Sequence, residues 1–175
     1  MVRMHFFVIL LSFTFFQTAQ AQLLLGGGPI YGDDISEFGL NLRAYTFIGE
    51  HICFGPEFTK FGNHEALIDG DPGEVGLWEV NFNGHFIFEV NEGFGIYPLT
   101  GLNYSREVES VEGHEDEVIS AFGANVGLGV HYETHKTVLY AEYDRLLSDL
   151  GQNSFTVGIL FFLGKHKEKG EERGQ

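Results

Sequence analysis

The sequence predicts an all-β fold, an eight-stranded antiparallel up-and-down transmembrane β-barrel. Three observations lead there. After residue 21, eight segments alternate apolar and polar side chains with a period of 2, the pattern of strands rather than helices. The gaps between them alternate long and short, as expected when tight turns lie on one side of a membrane and longer loops on the other. No apolar run after residue 21 approaches the ~20 residues that a spanning helix needs.

The segments are Leu23–Tyr31, Phe38–Ile48, Ile52–Phe61, Leu77–Val90, Phe94–Ser105, Val118–Glu133, Val138–Arg145 and Ser154–Leu163. The fourth shows the alternation most clearly. Trp78, Val80, Phe82, Phe86, Phe88 and Val90 share one face, and Glu79, Asn81, Asn83, His85 and Glu89 share the other. In the sixth, Phe122, Val126, Leu128, Val130 and Tyr132 oppose Gly123, Asn125, Gly127, Gly129, His131 and Glu133. A soluble barrel would turn its bulky face inward. Here that face is too bulky to fill a narrow core, and small and polar residues suit a lumen inside a lipid-facing wall.

The short gaps are Gly49-Glu50-His51, Asn91-Glu92-Gly93 and Thr134 to Thr137, all of hairpin length. The long gaps are Gly32 to Glu37, Gly62 to Gly76, Arg106 to Glu117 and Leu146 to Asn153. With the first strand starting on the periplasmic side, every short turn falls there and every long loop falls outside.

The chain opens with Met1-Val2-Arg3-Met4-His5, an apolar stretch from Phe6 to Phe16, and Ala19-Gln20-Ala21. A basic start, an apolar stretch and Ala-x-Ala form a secretory signal, with cleavage expected before Gln22. The predicted organisation is therefore signal peptide 1–21, barrel 22–164 and polar tail 165–175. The formal charge of −15 becomes one unit more negative when Arg3 is removed. Nucleic acid is not an expected partner, because its affinity comes from basic patches. Cys53 is the single cysteine, which excludes an internal disulfide and reads as a small strand residue.

The last segment carries Thr156-x-Gly158-x-x-Phe161-x-Leu163. With the strand pattern of residues 22 to 164, this resembles small outer-membrane β-barrels of the OmpX/OmpW kind, porin-family proteins of Gram-negative bacteria. In that family a polar-x-Gly-x-x-aromatic-x-hydrophobic strand is an assembly signal. The resemblance implies residence in the outer membrane, contact with outer-membrane lipids and lipopolysaccharide, and recognition by the outer-membrane assembly machinery. Members commonly stop at the terminal aromatic residue, whereas this chain continues with Lys165 to Gln175, a mixed-charge tail expected to be disordered.

Turn length sets the expected register. A three-residue loop at Gly49 to His51 places Ile48 opposite Ile52 and Arg43 opposite Glu57, both facing the lumen. An eight-stranded barrel is just wide enough for side chains to fill, and a buried charge needs a partner. An Arg43–Glu57 pair is predicted, within a polar network of Glu79, Glu89, Glu142 and Asp144 with Tyr97, Asn103, Asn125, His131 and Tyr140. The network reads as a packed polar plug; a proton or ion path is the alternative.

More than half of the 25 acidic residues fall in the predicted outside loops: Asp33, Asp34 and Glu37; Glu65, Asp69, Asp71 and Glu74; Glu107, Glu109, Glu112, Glu115, Asp116 and Glu117; and Asp149. Carboxylates attract hard cations, so divalent cations bridging these loops to one another or to lipopolysaccharide are an open alternative. Asp69 to Glu74 is the best candidate segment, but it lacks EF-hand spacing, and no specific metal site or cofactor is expected.

Some small outer-membrane barrels modify lipid A, with His and Ser two apart on one strand. This chain has no His-x-Ser, and His131 with Glu133 supplies a base and an acid without a nucleophile. No catalytic residue is assigned. The expected role is structural, or surface interaction through acidic loops. A narrow channel for small solutes is the first alternative and a lipid A-modifying enzyme the second.

Overall fold

The computed structural model describes residues 22–68 and 70–163; the predicted signal peptide, Asp69 and the tail lie outside the described residues. Ten β segments follow one another: β1 Leu23–Gly32, β2 Glu37–Ile48, β3 Ile52–Phe61, β4 His64–Ile68, β5 Asp71–Phe86, β6 Phe88–Asn91, β7 Phe94–Val111, β8 Glu117–Glu133, β9 Thr137–Leu147 and β10 Asn153–Leu163. All pairings are antiparallel, and β1 pairs with β10 to close the ring.

The ten segments make eight staves. β5 and β6 form one stave, because the β7 register runs on unchanged from His85↔Leu99 to Phe88↔Ile96 across Ile87. β3 and β4 form another, both lying along β5, with a one-residue irregularity at Gly62 and Asn63. The barrel is thus closed, eight-stranded and up-and-down, as the alternation predicts.

The side chains sort by face. Phe82, Leu102, Leu128 and Phe155 are exposed on the outer wall, and Phe122 reaches 83%. Asn41, Arg43, Glu57, Asn83, His85 and Glu142 are buried. Rings mark both margins of the outer belt. Phe58, Trp78, Tyr104 and Phe122 run across four neighbouring staves at centroid spacings of 6.3, 5.7 and 5.0 Å. Phe86 and Phe88 pair at 4.9 Å near the opposite rim. From Trp78 to Phe88, strands rising ~3.3 Å per residue at a tilt of ~40° span about 25 Å, the height of an outer-membrane apolar band.

Two loop expectations are corrected. The stretch from Gly62 to Gly76 is mostly strand: β4 pairs with the start of β5 from His64↔Val75 to Ile68↔Asp71. Likewise β7 continues past Ser105 to Val111 and pairs with β8 up to Glu109↔Glu117. Their acidic and glycine content resembled loop composition. Backbone ladders hold the segments together, and with water available above the belt neither face needs a bulky apolar set.

Candidate functional site

The lumen is filled in three layers. Toward the β2–β3 turn, Leu24, Cys53, Ile87, Leu99, Val138 and Leu160 form an apolar cluster with Tyr45, Tyr97 and Tyr140. At the other mouth, Ile30, Phe61 and Leu77 pack with Ile35 and Leu150. Between them lies a polar network. Apolar seals at both ends keep water from competing for its hydrogen bonds, which raises the cost of any unmet charge.

Arg43 is the hub, only 3% exposed. Its Nη2 lies 3.2 Å from Glu57 Oε2, and its Nη1 lies 3.1 Å from Glu142 Oε2. Nε donates to Asn41 Oδ1 at 2.7 Å, and the guanidinium sits 4.3 Å above the Tyr140 ring. Glu57 also accepts from Asn41 at 3.0 Å, from Asn83 at 2.6 Å and from the Tyr45 hydroxyl. Glu142 accepts from Tyr97 at 3.0 Å. His85 stacks on Tyr97 at 4.7 Å and meets the Tyr45 ring edge-on. An asparagine ladder continues upward: Asn125 donates to both Asn83 and Asn81 at 2.9 Å, and Asn103 donates to Asn81 at 2.6 Å. Large rings fit because glycine lies opposite them; a Cβ on Gly129 would strike Tyr97, and one on Gly158 would strike Tyr140.

The predicted lumen residues do not all meet. Arg43, Glu57 and Glu142 form the hub. Glu79 sits a layer higher and accepts from Gln152 at 2.7 Å. His131 stacks on Tyr97 at 5.8 Å. Asp144 lies half-buried beside Gly127, outside the hub's ion pairs. Glu89 is a correction in burial: it keeps the inward register opposite Gly95, but it is exposed on β6, one step past Ile87, which fills the lumen below it. In the terminal motif, Thr156 and Gly158 face the lumen while Phe161 and Leu163 are half exposed.

Sequence reasoning left Asn41, Tyr45, Asn81, Asn83, His85 and Gln152 out of the network. Tyr45 and Asn41 share the odd-numbered face of β2 with Arg43, so their signal was available. Gln152 lies between strands, where no periodicity speaks.

The second feature is a wall above the barrel. β4 and the upper ends of β5, β7 and β8 pair side by side and carry Glu65, Asp71, Glu74, Glu107, Glu109 and Glu117. From Trp78 to Asp71 the wall rises about 18 Å, at ~3.3 Å per residue and the same tilt. Neighbouring gaps are tied down: Asp33 accepts from the Asn153 side chain at 2.7 Å, and Arg145 lies 3.7 Å from Asp34. No group of three or more His, Cys, Asp or Glu is arranged to hold a metal ion among the described residues.

No family model matches the chain, and no curated protein does. Solved structures do. The attachment invasion locus protein Ail of Yersinia pestis aligns over 82% of this chain and 97% of its own, at 21% identity and a TM-score of 0.54. The N-terminal β-barrel domain of Pseudomonas aeruginosa OprF aligns over 82% and 100%, at 15% identity and a TM-score of 0.60. Neisserial surface protein A aligns over 81% and 94%, at 16% identity and a TM-score of 0.59. At these identities the likeness establishes the fold, that of small outer-membrane β-barrels.

Proposed function

We propose that this chain is an integral outer-membrane protein that holds an acidic β-wall at the cell surface, where the wall contacts cationic surfaces of partners. The observation that carries the reading is the pairing of a lipid-suited belt with a lumen sealed at both ends and a projecting acidic sheet. A sealed lumen makes transport a poor use of the barrel, since open aqueous channels belong to barrels of ~16 strands or more. An acyl-transfer role lacks support as well: Ser105 Oγ is engaged with Asn103 at 2.7 Å. The terminal strand fits recognition by the assembly machinery, and export through the periplasm fits the N-terminal sequence.

Protease shaving of intact cells tests the display. An enzyme that cuts after glutamate should cleave in the exposed turn from Glu112 to Glu117 while leaving the barrel staves intact. Cleavage only after cell lysis would overturn the orientation. In planar bilayers the purified barrel should show no steady conductance; a stable open current would favour the narrow-channel reading instead.

A further inference from the structure

We propose that a notch on the outer face of the wall, at the level of Trp78, binds the phosphorylated sugar headgroup of an outer-leaflet glycolipid. The proposal rests on the membrane reading above. Lys60, Trp78, Arg106 and Ser120 stand in one register row across β3, β5, β7 and β8. Their side chains point away from the lumen, because the alternate residues Thr59, Glu79 and Ser105 point in. The row lies at the ring belt, the depth of the headgroups.

Charge singles this row out. It borders the most acidic part of the molecule, yet neither Lys60 nor Arg106 has a carboxylate partner among the described residues. Lys60 Nζ donates only to Asn63 Oδ1, at 3.2 Å. Arg106 Nε is buried with no hydrogen-bond partner. Arg145, by contrast, pairs with Asp34. Two cations flanking a Trp at headgroup depth suit a phosphate held between them.

Directly above lies a cavity of about 240 Å³ lined by Lys60, Asn63, Glu74, Gly76, Val108 and Ser110. Amide, hydroxyl and carboxylate groups around a glycine floor supply the donors and acceptors that sugar hydroxyls require. Asn63 already donates to Glu74, so its amide is oriented. Gly76 keeps the floor open: a Cβ there would lie 2.7 Å from Asn63 Oδ1 and 3.1 Å from Lys60 Nζ.

Trp78 is the only tryptophan in the chain, so its fluorescence reports directly on the site. The full barrel is folded into vesicles of neutral lipid, of neutral lipid with phosphatidylglycerol, and of neutral lipid with increasing lipid A. The lipid A series should give a saturable change in Trp78 emission that phosphatidylglycerol and free inorganic phosphate do not reproduce. Lys60→Gln with Arg106→Gln should weaken the response at least tenfold, and Gly76→Ala, which keeps every charge, should weaken it comparably. Heat-modifiable mobility on gels verifies that each variant is folded. An unchanged response in both variants overturns the site. A loss confined to the charge variant reduces it to bulk electrostatic attraction, and an equal response to phosphatidylglycerol removes the sugar; each overturns the proposal. Failure to insert into neutral vesicles would refute the membrane reading, whereas insertion without a lipid A response would refute this site alone.

Discussion

Replacing Arg43 with leucine removes the only Lys or Arg at the centre of the lumen among the described residues. It breaks contacts of 3.2 Å to Glu57 and 3.1 Å to Glu142, a 2.7 Å hydrogen bond to Asn41, and the stacking over Tyr140. Stripping one partner from a buried ion pair costs about 3–5 kcal/mol, because a charge is left without compensation. Two carboxylates lose the same cation here, but both keep neutral donors, Glu57 from Asn41 and Asn83 and Glu142 from Tyr97. The penalty therefore counts roughly once, and a loss of about 4 kcal/mol is expected. That is about a thousandfold in the folded-to-unfolded ratio, at ~1.4 kcal/mol per tenfold. The assay is urea unfolding of the barrel in vesicles, followed by gel mobility and Trp78 fluorescence. The diagnostic variant combines Arg43→Leu with Glu57→Gln and Glu142→Gln. It leaves no charge stranded, and it should recover most of the loss, since replacing a whole buried ionic group is often near neutral. An Arg43→Leu cost below about 1 kcal/mol, or a triple variant no better than the single, would refute the uncompensated-charge argument.

Two further outcomes follow from the same packing and loop geometry. Gly129→Ala should cost about 1–3 kcal/mol by displacing the Tyr97 ring, and Tyr97→Leu should offset part of that in a double-mutant cycle; additive costs would count against the contact. Outside the membrane-spanning strands, the hydrogen bond from the Asn153 side chain holds the Asp33 carboxyl below its ordinary value of 3.8. A lowered folded value means the tie is fully present above that ordinary value and is lost as pH falls through the folded one. Acidification below pH 3.8 should thus loosen the Asp33 turn, and Asn153→Ala should loosen it already at neutral pH. Hydrogen exchange at residues 33–36 measures both, and identical protection in the variant would contradict the tie.

Much of the barrel was legible in the sequence because a stave buried on one side obeys a strict period of 2. That period assigned Arg43, Glu57, Asn125 and His131 to the lumen, and a three-residue turn placed Arg43 opposite Glu57. Glu142 as a second partner was not legible: it lies 99 residues from Arg43 in sequence, and only ring closure brings the two together. The wall was hidden for a different reason. Above the belt both strand faces meet water, so Arg106 to Val111 keeps its ladder with no strong apolar alternation to announce it. Glu89 keeps the parity of its stave, opposite Gly95, but it lies past Ile87 at the rim, where the inner face opens to solvent and parity no longer implies burial. The notch at Lys60 and Arg106 was invisible as well, since a cation in sequence does not reveal whether it will find a carboxylate.

The central claim, that this barrel lives in a membrane with its apolar face outward, is tested most directly by fractionation of cells expressing the full chain. The protein should sediment with the outer membrane, resist extraction by buffer and high salt, enter solution only with detergent, and migrate differently on gels before and after boiling. Recovery in the soluble periplasmic fraction without detergent would contradict the account.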